Sequence, residues 1–128
     1  MRIFKKFEEI AFAMVPVDRS NSQFFHVAFI FQKNKILSIG VNSFKTHTWA
    51  RELGYKGDAI HAELSACLKL GEENCSRYNI AVLRINRQNS LAMSRPCPHC
   101  GALLRKLKFK RIFYTNGGGQ WEKLENCA

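Results

Sequence analysis

Apolar residues recur at helical spacing from the start of the chain. Ile3, Phe4, Phe7, Ile10, Ala11 and Met14 fall on one face with charges between them, and Pro16 ends the run. The spacing predicts a helix over 2–15. Its polar face mixes Lys5 and Lys6 with Glu8 and Glu9, which favours a core-facing helix over a membrane-surface one. Residues 24–32 are rich in aromatic and branched side chains and predict a strand. The Lys33-Asn34 pair predicts a hairpin turn, and 35–41 the returning strand. Residues 42–58 follow no clean period and contain Gly54 and Gly57, so they are expected to form a long functional loop.

Helical spacing resumes over 60–71, with Leu64, Cys67 and Leu68 on one face and Gly71 as the stop. A third strand is expected over 79–86, a connector over 87–94, and a third helix over 97–107 that starts beside Pro96 and Pro98. A fourth strand over 111–115, a turn at 116–119 and a short fifth strand over 120–125 complete the chain. The order α-β-β-α-β-α-β-β predicts an α/β fold: a three-layer α/β/α sandwich with a mixed five-stranded sheet.

The 128 residues suit one domain over 1–128, and 46% hydrophobic residues with ten Phe can furnish its core. Twenty Lys and Arg stand against ten Asp and Glu, a formal charge of +10, which implies attraction to phosphates or simple solubility. No apolar stretch is long enough to cross a bilayer, and Glu8 and Glu9 interrupt any signal-peptide core, so no membrane partner is expected. The odd set Cys67, Cys75, Cys97, Cys100 and Cys127 fits a reducing, cytoplasmic compartment with thiols used by metal or packing.

Two segments carry the chemistry: His61-Ala62-Glu63 and Pro96-Cys97-Pro98-His99-Cys100, each where a helix is expected to begin. Cys97 and Cys100 lie one helical turn apart and can reach a common ion. His61 and Glu63 would diverge by about 200° in mid-helix, so they converge only on a target off the helix end. A metal between two abutting helix starts meets both conditions. One His and two Cys leave a fourth position open, the pattern of catalytic rather than structural zinc. Glu63 is then the carboxylate placed as general base.

These segments resemble the cytidine and deoxycytidylate deaminase superfamily, whose signature is His-x-Glu followed by Pro-Cys-x-x-Cys. The resemblance runs from about Phe24 to Phe113. It implies one zinc per chain on His61, Cys97 and Cys100, with Glu63 moving protons during attack at C4 of a pyrimidine or C6 of a purine. It further implies base-edge contacts from the backbone at Ala62 and Pro96, and a sugar or base contact from Asn42 in Gly40-Val41-Asn42. Lys45 and His47, in the loop expected above the pocket, are candidate substrate contacts. Homo-oligomers are the family habit. Ser94-Arg95-Pro96 departs from the more apolar tripeptide of many relatives, and no long helix follows the fourth strand. Asn116-Gly117-Gly118-Gly119 instead predicts a tight hairpin and antiparallel final strands, as in free-nucleoside cytidine deaminases.

Other residues have plainer readings. His99 should face away from the metal, and His26 is expected to be a satisfied core histidine, with pocket lining as the alternative. Cys67 is expected in the core, Cys75 and Cys127 as incidental thiols, and Trp121 as a packing residue. Trp49 could stack on a base, and Lys45 or Arg51 could supply the cations a mononucleotide needs. Arg105, Lys106, Lys108, Lys110 and Arg111 cluster at the helix end remote from the metal. The expected function is hydrolytic deamination of a cytosine nucleoside or nucleotide. The alternatives are a deaminase of single-stranded DNA or RNA, and an inactive zinc-stabilised nucleic-acid-binding module.

Overall fold

The computed structural model describes residues 2–15, 25–42 and 61–124. The first apolar run forms α1 (Arg2–Met14), with Ile3, Phe7 and Ala11 buried at four-residue intervals. A helix of this length is marginal alone, so packing must hold it. Phe7 stacks on Phe29 at 4.5 Å between ring centroids, and Phe4 stacks on Trp121 at 4.6 Å. Trp121 Nε1 donates to Glu8 Oε2 at 3.2 Å, which makes Trp121 the packing residue expected.

β1 (Phe25–Gln32) and β2 (Lys35–Val41) form an antiparallel hairpin around Lys33 and Asn34, with a register shift between Ile30 and Phe31. β1 also pairs antiparallel with β3 (Asn79–Ile85), setting His26 opposite Arg84. α2 (Ala62–Leu70) precedes β3 and stops at Gly71, whose φ of 72° is the left-handed cap that glycine adopts without strain. α3 (Pro98–Lys106) leads into β5 (Arg111–Thr115), which runs parallel to β3 as its crossover connection requires. β6 (Trp121–Lys123) returns antiparallel to β5, as the glycine-rich turn predicts.

The sheet order is β2-β1-β3-β5-β6. The 87–94 connector is not wholly irregular: β4 (Leu91–Ala92) pairs with Arg84 and Ile85 of β3 and makes a sixth strand. Two residues are too few to show a period in sequence. One sheet face packs on α1 through Val27, Phe29, Phe31, Ala81 and Leu83. The other packs on α2 and α3 through Ala28, Ile30, Ile80, Val82 and Ile112. Cover on both faces explains why Val27–Phe31 is continuously apolar rather than alternating. The result is the α/β/α sandwich expected. Among the described residues no helix is long and apolar enough to cross a membrane.

Candidate active site

Both motif segments sit at helix starts. His61 is the N-cap residue of α2, with extended backbone (φ −73°, ψ 154°), so the helical turn per residue does not apply between it and Glu63. Cys97 is the N-cap of α3, and Cys100 N donates to its Sγ at 3.4 Å. The two starts abut. His61 Nδ1 lies 3.5 Å from Cys97 Sγ and 3.4 Å from Cys100 Sγ. A tetrahedral zinc, with bonds of about 2.3 Å to sulfur and 2.0 Å to nitrogen, requires a sulfur–nitrogen separation of about 3.5 Å. The three ligand atoms lie within 4.8 Å of one another, and the group fits one zinc per chain.

The helix that carries His61 is held down on β2. Ser38 Oγ donates to Ala66 O at 2.8 Å, and Lys69 Nζ donates to Ile39 O at 3.0 Å. The segment before Cys97 is fixed by Ser94, only 5% exposed, whose Oγ donates to Val82 O at 2.7 Å and accepts from Thr115 N at 2.8 Å. Ser94 N also donates to Thr115 O at 2.9 Å. The polar tripeptide Ser94-Arg95-Pro96 therefore ties the α3 start to β3 and β5.

The electrostatics suit a metal. The Cys100 thiol, with support from the Cys100 backbone N–H and His61, holds Cys97 down to about 3, so Cys97 is a thiolate. The hydrogen bond to Cys97 pushes His61 upward. Burial raises Glu63, against the pull of its own backbone N–H, His61 and the Cys100 sulfur. Glu63 lies outside the three-ligand group and is 5% exposed.

A hollow of about 250 Å³ opens beside the ligands, lined by His26, Val82 and Arg84 from the sheet, His61 and Glu63 from α2, and Met93 to Arg95 with Cys97 from the segment before α3. Its volume is a little below the usual range of about 300–1,000 Å³ for ligand sites. Arg84 Nη1 donates to Met93 O at 3.3 Å, and the Arg95 guanidinium lies 5.9 Å from the Tyr114 ring centroid. His26 Nε2 is buried with no hydrogen-bond partner among the described residues. Burial, helped by the Arg84 and His61 charges, pulls this imidazole down to about 4. The expected satisfied core histidine is thus a pocket residue.

The remaining candidates fall in different places. Asn42 is spent partly on architecture: its Oδ1 accepts from His26 N at 3.0 Å, and its own N donates to His26 O at 3.3 Å. Ala62 is fully buried under the start of α2. Pro96 lines an adjoining hollow with Arg95, Cys97 and Arg105. Lys45, His47, Trp49, Arg51 and Cys127 lie outside the described residues. Cys67 and Cys75 are buried thiols that burial pushes upward. His99 is exposed, as are Arg105, Lys106, Lys108, Lys110 and Arg111. Sequence reading did not single out Arg84 or Met93. The available signal was the break in the inward series Ile30-Ala28-His26 and Ile80-Val82-Arg84.

The fold is shared with known deaminases. A cytidine deaminase from Burkholderia pseudomallei superposes with a TM-score of 0.58 at 19% identity, over 94% of this chain and 87% of that one. A dCMP deaminase from the cyanophage S-TIM5, in apo form, gives 0.56 at 18% identity, over 91% and 82%. A cytidine deaminase from Mycobacterium leprae gives 0.54 at 19%, over 94% and 92%. No curated protein matches the sequence. The family model for the cytidine and deoxycytidylate deaminase zinc-binding region matches residues 1–116. With its three-ligand group at two helix starts and most of its length within that match, the chain belongs to the cytidine and deoxycytidylate deaminase family.

Proposed function

We propose that this protein hydrolytically deaminates a cytosine nucleoside or nucleotide, releasing ammonia and the uracil counterpart. The observation that carries the reading is the burial of the Glu63 carboxyl in the same hollow as His61 and Cys97, outside the ligand group. A structural metal site has no use for such a carboxyl.

His61 Nδ1, Cys97 Sγ and Cys100 Sγ would hold the zinc. Zinc bound there would supply Lewis-acid chemistry that makes water acidic enough to serve as nucleophile near neutral pH. Glu63 accepts a proton from the water as oxygen adds to C4 of the ring. It returns that proton to the ring nitrogen, and the amine takes the proton of the added hydroxyl and leaves as ammonia when the C–N bond breaks. The C=O of the uracil product takes the place of the amine. In this reading the backbone at Ala62 and Pro96 contacts the base edge, Asn42 contacts sugar or base, and Lys45 and His47 remain the further candidate substrate contacts named from the sequence. The cationic wall of Arg84 and Arg95 supports a nucleotide, whose phosphate it would attract.

The second reading, a polynucleotide substrate, is favoured by the net charge of +10 and the exposed cations at the far end of α3. One experiment decides between them. Zinc-loaded protein is incubated with nucleosides, mononucleotides and oligonucleotides, and products are screened by mass spectrometry for a gain of about 1 Da. Conversion of cytidine, deoxycytidine or their monophosphates is expected. Conversion of oligonucleotides alone would replace the first reading with the second.

A further inference from the structure

The sheet face beneath α2 and α3 changes character in one step. Paired across β1 and β3, Ile30 with Ile80 and Ala28 with Val82 belong to the core, and the next inward pair is His26 with Arg84. Extending the core would call for another apolar pair. His26 instead brings a polar ring whose Nε2 is shut away from solvent and has no partner among the described residues, an arrangement that costs stability in the substrate-free protein. The strand cannot shift to relieve it, because the His26 backbone is bracketed by Asn42: Oδ1 accepts from His26 N at 3.0 Å and Asn42 N donates to His26 O at 3.3 Å.

Packing does not explain the ring, but the hollow does. His26 lines the same space as His61, Glu63 and Cys97, and it lies outside the group of residues that can hold the metal. A neutral imidazole presents at Nε2 either an N–H or a lone pair, so it can pair with a carbonyl oxygen of a base or a hydroxyl of a sugar. Its neighbour Arg84 is anchored by its bond to the Met93 carbonyl, which gives the floor of the hollow a fixed polar edge. We propose that His26 is a substrate-binding residue of this pocket, its Nε2 satisfied by a hydrogen bond to the bound nucleoside or nucleotide. This rests on the deaminase reading for the nature of the ligand. Binding selectivity in such a site comes from a buried polar group that only the right ligand pairs, so the stability given up in the free protein is recovered on binding.

The test compares wild type, His26→Phe and His26→Gln as full-length, zinc-loaded protein, with zinc content checked by elemental analysis. Melting temperature is measured, together with calorimetric binding and turnover of cytidine and deoxycytidine monophosphate. His26→Phe is expected to keep its zinc, to melt at or above the wild-type temperature, and to bind whichever compound the wild type prefers at least tenfold more weakly. His26→Gln, which restores a polar group, should recover part of that loss. Affinities of both variants within twofold of wild type would overturn the proposal. So would melting of both well below wild type, which would make His26 a structural residue. Wild-type binding without turnover would sink the deaminase reading, while a binding loss in His26→Phe would still support the role of His26. Absence of wild-type binding to either compound would overturn both.

Discussion

Gly40 on β2 lies directly against the first turn of α2, so close that a β-carbon there would run into the Ala62 carbonyl oxygen and the Ala66 nitrogen, and stand 2.9 Å from Ala66 Cα. The obstacle is helix backbone, which cannot swing aside as a side-chain tip would. Gly40 therefore sets the height of α2 over the sheet, and with it the positions of His61 and Glu63.

Replacing Gly40 with alanine should consequently act on the site from a distance. Overpacking costs about 1–3 kcal/mol in a well-packed core, and here rigid backbone leaves little room to relax. Gly40→Ala is expected to lower the melting temperature by several degrees and to reduce zinc retained per chain. A variant that keeps wild-type zinc and stability would show that α2 is not seated by this contact.

Zinc content divides the cysteines. Protein purified without added metal should carry about one zinc per chain, and Cys97→Ser or Cys100→Ser should lose most of it. Cys75→Ser should keep it, since Cys75 packs in the core under α2 and α3 and lies outside the ligand group. Elemental analysis of the three variants makes the check. Zinc lost with Cys75 and kept without Cys97 would reverse the ligand assignment.

Glu63→Ala should bind zinc and fold, because the carboxyl is not a ligand and its burial is a cost to the free protein. Turnover should fall by about 10²–10⁴, the usual contribution of a positioned acid–base group. A loss below tenfold, measured on the best substrate at saturation, would assign the proton transfers elsewhere.

His26 also predicts a pH dependence of stability. Its pKa is about 4 in the folded protein against 6.5 for an ordinary histidine, so between these values the unfolded chain binds more protons than the folded one. Stability from this group is therefore fully present above about pH 6.5 and declines as pH falls toward 4. Denaturant unfolding from pH 7.5 to 4.5 should show a smaller acid loss for His26→Phe than for wild type. Equal acid losses in the two proteins would mean that the buried ring is not held neutral.

Salt separates the substrate classes. A single-stranded polynucleotide engaged by several phosphates would bind with a log–log salt slope of about −0.7 per contact. Joint neutralisation of Lys106, Lys108, Lys110 and Arg111, all exposed and outside the hollows that Cys97 lines, would flatten that slope. A mononucleotide seated beside the zinc should give a shallow slope that ignores these exposed residues at the opposite end of α3. The shallow response is expected; a steep slope abolished by the quadruple variant would favour the polynucleotide reading.

Much of this molecule was legible along the chain because the signals are local. The four-residue spacing of Ile3, Phe7 and Ala11 set α1, Gly71 marked the end of α2, and the Asn116–Gly119 turn implied the antiparallel β6. The metal ligands were readable too, since His-x-Glu and Cys-x-x-Cys are each carried on one short segment. Convergence of the two segments could be inferred from helix-end geometry but not built from the chain alone, because 33 residues separate Glu63 from Cys97. It is decided by the parallel pairing of β3 with β5 and by the docking of α2 over Gly40. β4 escaped notice because two residues cannot show a period, and its pairing exists only because β3 offers an edge beyond β5. His26 was ambiguous for the same kind of reason. Whether a histidine in a strand is a satisfied core residue or an unpaired polar group facing a pocket depends on what lies across from its ring, and that is a property of packed elements, to which the order of residues along one strand is blind.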